Sequence, residues 1–394
     1  MFKHIFKLTW NKRRQNFLFL SEILVSFMVI FAVASLLVFY YTNYKKPQGI
    51  NVNRVWAVGF GGFLSTQQPD SIRFIIDNLK QNLKSLPQIE EISFTHANFP
   101  YSNSMSSTGI SHDGKSIKPI NHYTVDEAFA KVTGMKVLEG RWFTAEDGLF
   151  NKKDLVINAS LKKAMFGDEP AVGKLFGGDE EETKRKVIGV VEDVKAGGDY
   201  WPAGMGMYVI LDTTSFKWVG HILIKVSPDA DAAFESRLHK LLARTIKNSN
   251  LEIQHLEEMR ASKNKEGIIP MIICVTVAGF LIINVALGLF GVLWYNISQR
   301  RSEIGLRRAI GASGYAVSTQ LVFESLMLTS LSIVVGTFFA IQFPLLNVFN
   351  VPANVYIIAL LFSIAFVYAL VILCSLYPGR QAAAIHPAIA LHEE

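Results

Sequence analysis

One segment has the residue types and spacing of a phosphate-binding loop. Gly109–Ser116 carries two glycines with four residues between them, followed by lysine and serine. Such a loop binds phosphate when a buried strand precedes it and a helix follows, because the helix N-terminus and the backbone amides then meet the phosphate oxygens. Here Tyr101–Thr108 is rich in serine and asparagine, and Pro119 stands where the helix would continue. We therefore predict a chance match in a loop that binds no nucleotide.

Two further groups could bind a metal ion. The acids Asp179–Glu182 lie beside the basic run Lys184–Lys186, but adjacent opposite charges at a turn more often form a solvated hairpin tip. Four histidines of the polar region lack the spacing and the partners of a metal site. They are His96, His112, His122 and His221. We expect no catalytic residue, no metal site and no bound cofactor in this chain.

Polarity is distributed very unevenly along the chain. Of 394 residues, 50% are hydrophobic and 18% are charged, yet residues 325–378 contain no charged side chain. The formal net charge of +6 indicates membrane topology, because no basic stripe interleaved with aromatic residues exists to bind nucleic acid. Both cysteines, Cys274 and Cys374, lie in apolar segments and say nothing about the compartment of the polar region.

Four apolar segments are long enough to cross a bilayer as helices. We predict these spans at residues 17–42, 268–293, 316–346 and 355–377. Basic residues concentrate in the N-terminus, 1–16, and in the loop 294–315, whereas the turn 347–354 has none. The positive-inside rule therefore places the N-terminus, the loop and the C-terminal helix 378–394 in the cytoplasm. Residues 43–267 then form a domain on the opposite side.

The first apolar segment could also be a cleaved signal peptide. It is longer than a signal-peptide core, and no small-residue cleavage site follows Tyr40–Thr42, so we interpret it as a retained span. Glu22 lies near its cytoplasmic end. A carboxylate within a span is a candidate functional group, although near an end it can reach the interface or pair with Arg13, Arg14 or a neighbouring helix. Its role stays open.

Residues 43–267 have the pattern of a soluble α+β domain without βαβ winding. Helical spacing of apolar residues begins after Asp70, which we expect to cap the helix, and ends at Pro87. A second amphipathic helix is predicted at Asp229–Lys247. Short strands with turn residues between them are predicted at Asn53–Phe60, Ile89–Phe94, Asp154–Ile157, Lys186–Val191, Met207–Leu211 and His221–Val226.

A short amphipathic helix is predicted between the second and third spans, within Gln299–Ser313. At 100° per residue its four arginines share one arc of roughly 120°. They are Arg300, Arg301, Arg307 and Arg308. Leu306, Ala309 and Ile310 fall on the opposite side, and Gly311 supplies a stop. The alternative is a solvated loop that merely obeys the positive-inside rule, but the small residues favour a docking surface.

This segment, from Glu303 to Ser313, resembles the coupling helix of FtsX/MacB-type permeases of ABC transporters. The polar domain carries further fragments that resemble the MacB-type periplasmic core domain, in the family's order. They are Gly140–Phe143 with Asp147, Val156–Asn158, Phe166–Gly167, Gly173–Lys174 and Val187–Val191. By the same resemblance, an inserted lobe covers about Val125–Leu211, and the segment Arg380–Pro387 is similar to the family's closing helix.

The resemblance implies a fold similar to type VII ABC transporters: four transmembrane helices with a large α+β extracytoplasmic domain between the first and second. It implies a permease without a fused ATPase in the bacterial inner membrane, with ATP bound by a separate cytoplasmic subunit. Partners would include a second permease, as homodimer or heterodimer, and a periplasmic adaptor with an outer-membrane channel. The residues expected to couple to the ATPase are Arg301, Glu303, Ile304, Gly305, Leu306, Arg308, Ala309 and Gly311.

The expected function is export or expulsion of a substrate of the antibiotic, peptide or lipoprotein class, driven by motion passed from the ATPase to the external domain. The sequence does not choose among these substrates. One alternative is an FtsX-like regulator that activates a cell-wall hydrolase. Another is a sensor receptor, but the cytoplasmic segments are too short for an output domain.

The charge distribution makes a testable prediction about topology. A protease added to intact spheroplasts should cut within residues 43–267 and leave tags on both termini protected. Immunoblotting of the two tags measures the result. Cleavage of a C-terminal tag from outside would show that one span is miscounted.

Overall fold

The computed structural model describes residues 13–112, 115–148, 154–176, 184–212, 214–246 and 249–383. The chain divides into two compact units, which are described separately. One unit is the polar domain, Asn43–Gly267, and the other combines the apolar helices that precede and follow it. The basic residues 1–12, the acidic residues 179–182 and the tail 384–394 lie outside the described residues.

The helices are α1 (Arg13–Tyr44), α2 (Pro69–Lys84), α3 (Phe129–Thr133), α4 (Ala159–Phe166), α5 (Ala232–Thr245), α6 (Leu256–Gln299), α7 (Arg301–Ala309), α8 (Gly314–Ala340), α9 (Gln342–Leu345) and α10 (Ala353–Ala383). The strands are β1 (Val55–Gly59), β2 (Ile89–Thr95), β3 (Ser107–His112), β4 (Lys115–Val125), β5 (Val137–Gly140), β6 (Asp154–Asn158), β7 (Leu175–Phe176), β8 (Arg185–Val191), β9 (Gly206–Ile210), β10 (His221–Val226) and β11 (Glu252–His255).

Within the described residues, four helices are long and apolar enough to cross a membrane: α1, α6, α8 and α10. Each of them extends beyond its predicted span at one end or both, and α6 and α10 extend furthest. Helix α6 begins in the polar domain at Leu256 and continues to Gln299, so residues 294–299 are helical rather than loop. Helix α10 continues past Pro378 to Ala383. A helix that satisfies its backbone hydrogen bonds internally need not end where the apolar sequence ends.

Helix α1 packs against the other three spanning helices along one side. Its buried aromatic side chains Phe19, Phe27 and Phe31 belong to a cluster with residues of α6, α8 and α10. Two glycines allow the close contacts, because a Cβ atom at Gly336 would lie 2.4 Å from the Phe27 ring and one at Gly288 would lie 1.8 Å from Glu22 Oε1. The carboxyl group of Glu22 is therefore accommodated against α6 by Gly288.

The eleven strands described in the polar domain form one sheet, in the order β11-β1-β10-β2-β4-β9-β6-β8-β5, with β3 paired to β4 and β7 to β8. The two halves of this sheet meet where β2 pairs with the end of β4, at Thr95 opposite Val125, flanked by backbone bonds from His96 N to Thr124 O and from Asp126 N to Phe94 O. One half contains β11, β1, β10 and β2. The hairpin Ser107–Val125 belongs with the other half, which therefore begins earlier in the chain than the predicted lobe boundary at Val125.

Two parallel strand pairs interrupt the otherwise antiparallel sheet. They are β4 with β9 and β6 with β8. Since β6 and β8 are adjacent and α4 lies between them in the chain, this part is a βαβ unit. The α+β assignment holds, but the prediction that the domain contains no such winding was wrong. The sequence signal for this βαβ unit was weak because α4 has only eight residues, which is short for a crossover helix.

The predicted helices of the domain are present, with different ends. Helix α2 begins at Pro69, and its N-cap residue is Gln68 without a side-chain cap, so Asp70 does not cap it. Proline is favoured in the first turn because its missing N–H would have no helical partner there. Helix α5 begins after Asp231, whose carboxylate accepts from Phe234 N at 2.8 Å. Both helices pack on the half-sheet that contains β1, β10 and β2.

The segment around the phosphate-loop match is a hairpin, not a loop. Strand β3 covers Ser107–His112 and β4 covers Lys115–Val125, with residues 113–114 outside the described part. The polar composition of Tyr101–Thr108 gave no sign of a strand, because residues 107–110 have exposed and partly exposed side chains and the segment shows no apolar alternation. No helix follows the glycines, so the geometry that binds phosphate at a helix N-terminus is absent from the described residues of this segment.

An ion pair between a buried carboxylate and a half-exposed arginine closes the turn after β5. Both oxygens of Asp147 accept from Arg141, at 2.6 and 2.9 Å, and Thr144 N donates to Asp147 Oδ2 at 2.8 Å. Asp147 is 2% exposed. Hydrogen bonding to Arg141 lowers the pKa of Asp147 to about 2, against the opposing effect of burial. The pair fixes the turn that the family resemblance singled out.

The Arg141–Asp147 pair predicts a pH-dependent contribution to stability. Asp147→Asn should reduce the free energy of unfolding at neutral pH by about 1–2 kcal/mol, after allowance for the half-exposed arginine. Because the folded pKa of Asp147 is depressed, this contribution is complete above the ordinary carboxyl pKa and is lost as pH falls toward 2. Urea denaturation of the solubilised protein at several pH values measures it.

The neighbouring exposed Glu146 supplies the control. Glu146→Gln should leave the unfolding free energy nearly unchanged across the same pH range. A constant difference between wild type and Asp147→Asn down to pH 3 would contradict the role given to the ion pair.

Candidate functional site

Helix α7 is a defined element between the second and third spanning helices. It covers Arg301–Ala309, and Gly311 follows it with φ of 102°. Gly311 N donates to Arg308 O at 3.1 Å, and Ala312 N donates to Arg307 O at 3.0 Å. This is the Schellman arrangement, which places a residue in the left-handed region where only glycine is unstrained. The predicted stop at Gly311 is therefore present in the geometry.

Two of the four arginines hold α7 against α8. Arg300 Nη1 donates to Glu324 Oε2 at 2.7 Å and Arg300 Nε to Glu303 Oε2 at 3.1 Å. Arg307 donates to Gln320 Oε1 at 2.9 Å and to Glu303 Oε1 at 2.5 Å. These five side chains form one network that fixes the orientation of α7.

The ion pairs keep the Arg300 guanidinium charged in a largely buried position. Burial by itself lowers the pKa of Arg300, but the nearby carboxylates of Glu324 and Glu303 raise it above its ordinary value overall. The side chains of Arg300 and Glu324 are 19% and 22% exposed. Partial burial strengthens such a pair relative to a fully solvated one, and removing either partner leaves the other charge poorly compensated.

The apolar residues of α7 divide between two faces. Ile304 and Gly305 are buried, and Ile304 packs in a small cluster with Ile297, Val317 and Ala382. Leu306 and Ile310 point away from this cluster and are 51% and 79% exposed. The helix therefore uses one face to dock onto its own helical bundle and leaves another uncovered.

The eight predicted coupling residues are not all on that exposed face. Arg301, Leu306, Ala309 and Gly311 are exposed, Glu303 and Arg308 are partly exposed, and Ile304 and Gly305 are buried. Glu303 belongs to the internal network. The Arg308 side chain makes no hydrogen bond or ion pair with the described residues, and at two residues from Leu306 and from Ile310 it points to a different side of the helix. Leu306, Ala309 and Ile310 define what we call the open face of α7.

Sequence reasoning missed the residues on α8 that orient the helix. Gln320 accepts from Arg307, Glu324 accepts from Arg300 at the N-cap of α7, and Gln320 Nε2 donates to Glu324 Oε1. One signal was available. Glu324 is the last charged residue before the long charge-free stretch, where an unpaired carboxylate would be costly.

The remaining candidates for chemistry do not assemble into a site. Within the described residues, no three histidine, cysteine or acidic side chains lie close enough to hold a metal ion. Burial lowers the pKa of His96, His122 and His221, so these rings are predominantly neutral core groups at neutral pH. The acidic run Asp179–Glu182 and the tip of the phosphate-loop match lie outside the described residues.

Comparison with known families agrees with this architecture. Residues 23–241, more than half of the chain, match the MacB-like periplasmic core domain, and residues 275–387 match the C-terminal domain of FtsX-like permeases. The fold and these matches define a membrane-embedded permease with an external domain between its first two spans. The chain belongs to the MacB-like family of ABC transporter permeases.

Individual relatives are distant. The macrolide export ATP-binding/permease protein MacB of Aggregatibacter actinomycetemcomitans is 28% identical over 59% of this chain, which is 36% of that protein. The uncharacterized ABC transporter permease YknZ of Bacillus subtilis (strain 168) is 23% identical over 65% of this chain and 64% of that protein. The crystal structure of the periplasmic region of MacB from Actinobacillus actinomycetemcomitans has a TM-score of 0.39 and 20% identity, covering 56% of this chain and 97% of that one. The chain thus spans little more than a third of that MacB relative.

The network between α7 and α8 predicts a stability effect. Glu324→Gln should destabilise the solubilised protein by about 1–3 kcal/mol, because it removes the carboxylate that the half-buried Arg300 pairs with. Arg308→Gln is the matched control and should change stability by no more than about 0.5 kcal/mol. Thermal unfolding of the two variants in detergent measures the difference, and equal effects would contradict the asymmetry between the two arginines.

Proposed function

We propose that this chain is the permease subunit of an exporter whose ATPase is a separate cytoplasmic polypeptide. In this proposal the ATPase binds ATP, the permease carries no catalytic residue, and motion passes through the spanning helices to the external domain. The substrate is an antibiotic, a peptide or a lipoprotein. The match to the MacB-like core domain over residues 23–241 supports export over activation of a cell-wall hydrolase.

The observation that carries the proposal is the open face of α7. It presents two exposed apolar side chains, Leu306 and Ile310, on a helix whose orientation is fixed from behind by ion pairs. A rigidly held, exposed apolar pair suits a groove with an apolar floor. The placement of basic residues favours the cytoplasmic side for this helix, where an ATPase would be met.

Gly305, a small residue of α7, faces the helical bundle and not a partner. Gly305 was expected to allow close approach to a partner groove, but it is buried with Ile304 on the face toward the bundle. We infer that Gly305 lets α7 lie close to its own spanning helices, and that contact with the partner is made by the side chains of the open face.

The wider assembly follows from the same proposal. Two permease subunits, identical or different, would present two α7 helices to a pair of ATPases in the bacterial inner membrane. The domain of residues 43–267 would lie in the periplasm, where an adaptor and an outer-membrane channel could receive the substrate. Lipids surround the exposed apolar side chains of α6, α8 and α10.

Charge introduced into the open face should weaken binding of the ATPase. Ile310→Asp places a carboxylate where the proposal requires an apolar contact. Loss of that apolar contact should cost about 2 kcal/mol or more of binding free energy. Arg308→Glu, outside the open face on the same helix, should cost about 1–3 kcal/mol if Arg308 contacts an acidic edge of the partner. Co-purification of the partner ATPase and stimulation of its hydrolysis rate measure both variants.

Met105→Asp is the matched control, because Met105 is 86% exposed but lies in the external domain. It should leave ATPase binding unchanged. Both α7 variants should retain wild-type thermal stability, since Ile310 is exposed and the Arg308 side chain makes no hydrogen bond or ion pair with the described residues. Normal ATPase binding by Ile310→Asp would contradict the assignment of the open face, whatever its effect on stability.

A further inference from the structure

Two short segments connect the external domain to the first two spans. The first follows helix α1, which ends at Tyr44, and runs through Lys46 and Gln48. The second is the beginning of helix α6, which starts at Leu256 and continues as the second span. Both segments contact the loop that follows β8, at residues 194–201, and every residue of these contacts lies within the polar domain.

The first segment is held by Lys195. This side chain is 1% exposed, and its ammonium group donates to Asn43 O at 2.5 Å, Lys46 O at 2.5 Å and Asp199 O at 3.3 Å. The backbone adds a bond from Lys195 N to Gln48 O at 3.2 Å. A buried ammonium group surrounded by three carbonyl oxygens satisfies its donors, so Lys195 ties the end of α1 to this loop.

The second segment is held by Asp199, which is 4% exposed. Its two carboxylate oxygens accept from Arg260 at 3.0 and 2.8 Å, and Asn264 Nδ2 donates to Oδ2 at 2.8 Å. Asp199 N donates back to Asn264 Oδ1 at 2.7 Å. Paired hydrogen bonds between a guanidinium and a carboxylate are both stronger and more directional than single ones. The beginning of α6 is therefore fixed to the same loop.

Asp199 also contacts the first segment, since Gln48 Nε2 donates to Asp199 Oδ1 at 3.2 Å. Burial alone would raise the pKa of Asp199, but the bonds from Arg260 and Asn264 outweigh it and hold the pKa below its ordinary value. The carboxylate is thus charged at neutral pH. A ring contact reinforces the arrangement, because Tyr44 stacks on Tyr200 with centroids 5.6 Å apart.

We propose that Lys195, Asp199, Arg260 and Asn264 form a clamp that makes the end of the first-span helix and the beginning of the second-span helix move as one body. The role of this clamp in transmitting motion rests on the proposed function. Its effect on the distance between the two segments is independent of that function. Without the clamp, the two segments would be joined by the sheet, by the bond from Arg54 N to Glu257 Oε1 and by the packing of Leu256 near Ile50, so each could tilt more independently of the other. These are positioning residues, which contact neither ATP nor substrate.

The clamp is tested by the distance between its two segments. Spin labels are placed at Lys45→Cys and Ala261→Cys in a background with Cys274→Ala and Cys374→Ala, in the full complex with the partner ATPase in nanodiscs. The unaltered clamp should give one narrow distance distribution that is the same without nucleotide and with Mg-ATP. Asp199→Asn and Lys195→Met should each widen the distribution about twofold or more, because each frees one segment.

Glu90→Gln is the control, because it removes a similar but exposed pair with Arg54 elsewhere in the domain; it should leave the distribution narrow. Asn264→Ala is a milder variant that can be used if the charge variants fail to fold. It should widen the distance distribution less than they do. A narrow distance distribution in both Asp199→Asn and Lys195→Met would overturn the clamp. So would two separate distances in the unaltered protein after addition of ATP. If ATP hydrolysis is not stimulated by the permease but the variants still widen the distribution, the clamp stands and the proposed function fails.

Discussion

Backbone polar groups cannot be left unpaired in the hydrocarbon core of a membrane, and this constraint shapes the whole chain. It requires each crossing segment to be a helix, and because a helix satisfies its own backbone hydrogen bonds, it can continue beyond the membrane surface. Helix α6 therefore runs from Leu256 in the external domain to Gln299 beside α7. At 1.5 Å per residue such an element is about 66 Å long. Its hydrogen-bond ladder makes it a continuous mechanical connection between two polar regions.

Polar side chains attach both ends of helix α6 to neighbouring segments. At its beginning, Arg260 and Asn264 contact Asp199. Just beyond its other end, Arg300 contacts Glu324. Both ion pairs are partly shielded from water, so each fixes geometry more firmly than a surface pair would. Under the proposed function, the connecting helices need firm attachments at both ends, and the contacts described at both ends of α6 are made largely by side chains.

Local patterns in the sequence were enough to predict the spanning helices, the amphipathic α7 and most of the strands. Apolar length identifies a span, and Gly311 identifies a helix end, because both depend on residues close together in the chain. The hairpin of β3 and β4 was missed because its polar residues show no alternation. The burial of Gly305 and the contacts of Lys195 with Asn43 and of Asp199 with Arg260 join segments distant in sequence, and no local period reports them.

The central claim is that ATP binding on the cytoplasmic side changes the arrangement of the external domains. It is tested most directly by spin labels at Met105→Cys on the two permeases of the assembled complex, with Cys274 and Cys374 replaced by alanine. The distance between the two labels is compared without nucleotide and with ATP trapped by a hydrolysis-deficient partner. Our account predicts a shift in the mean distance. An identical distribution in both states, in a complex whose wild-type partner is stimulated by the permease, would contradict it.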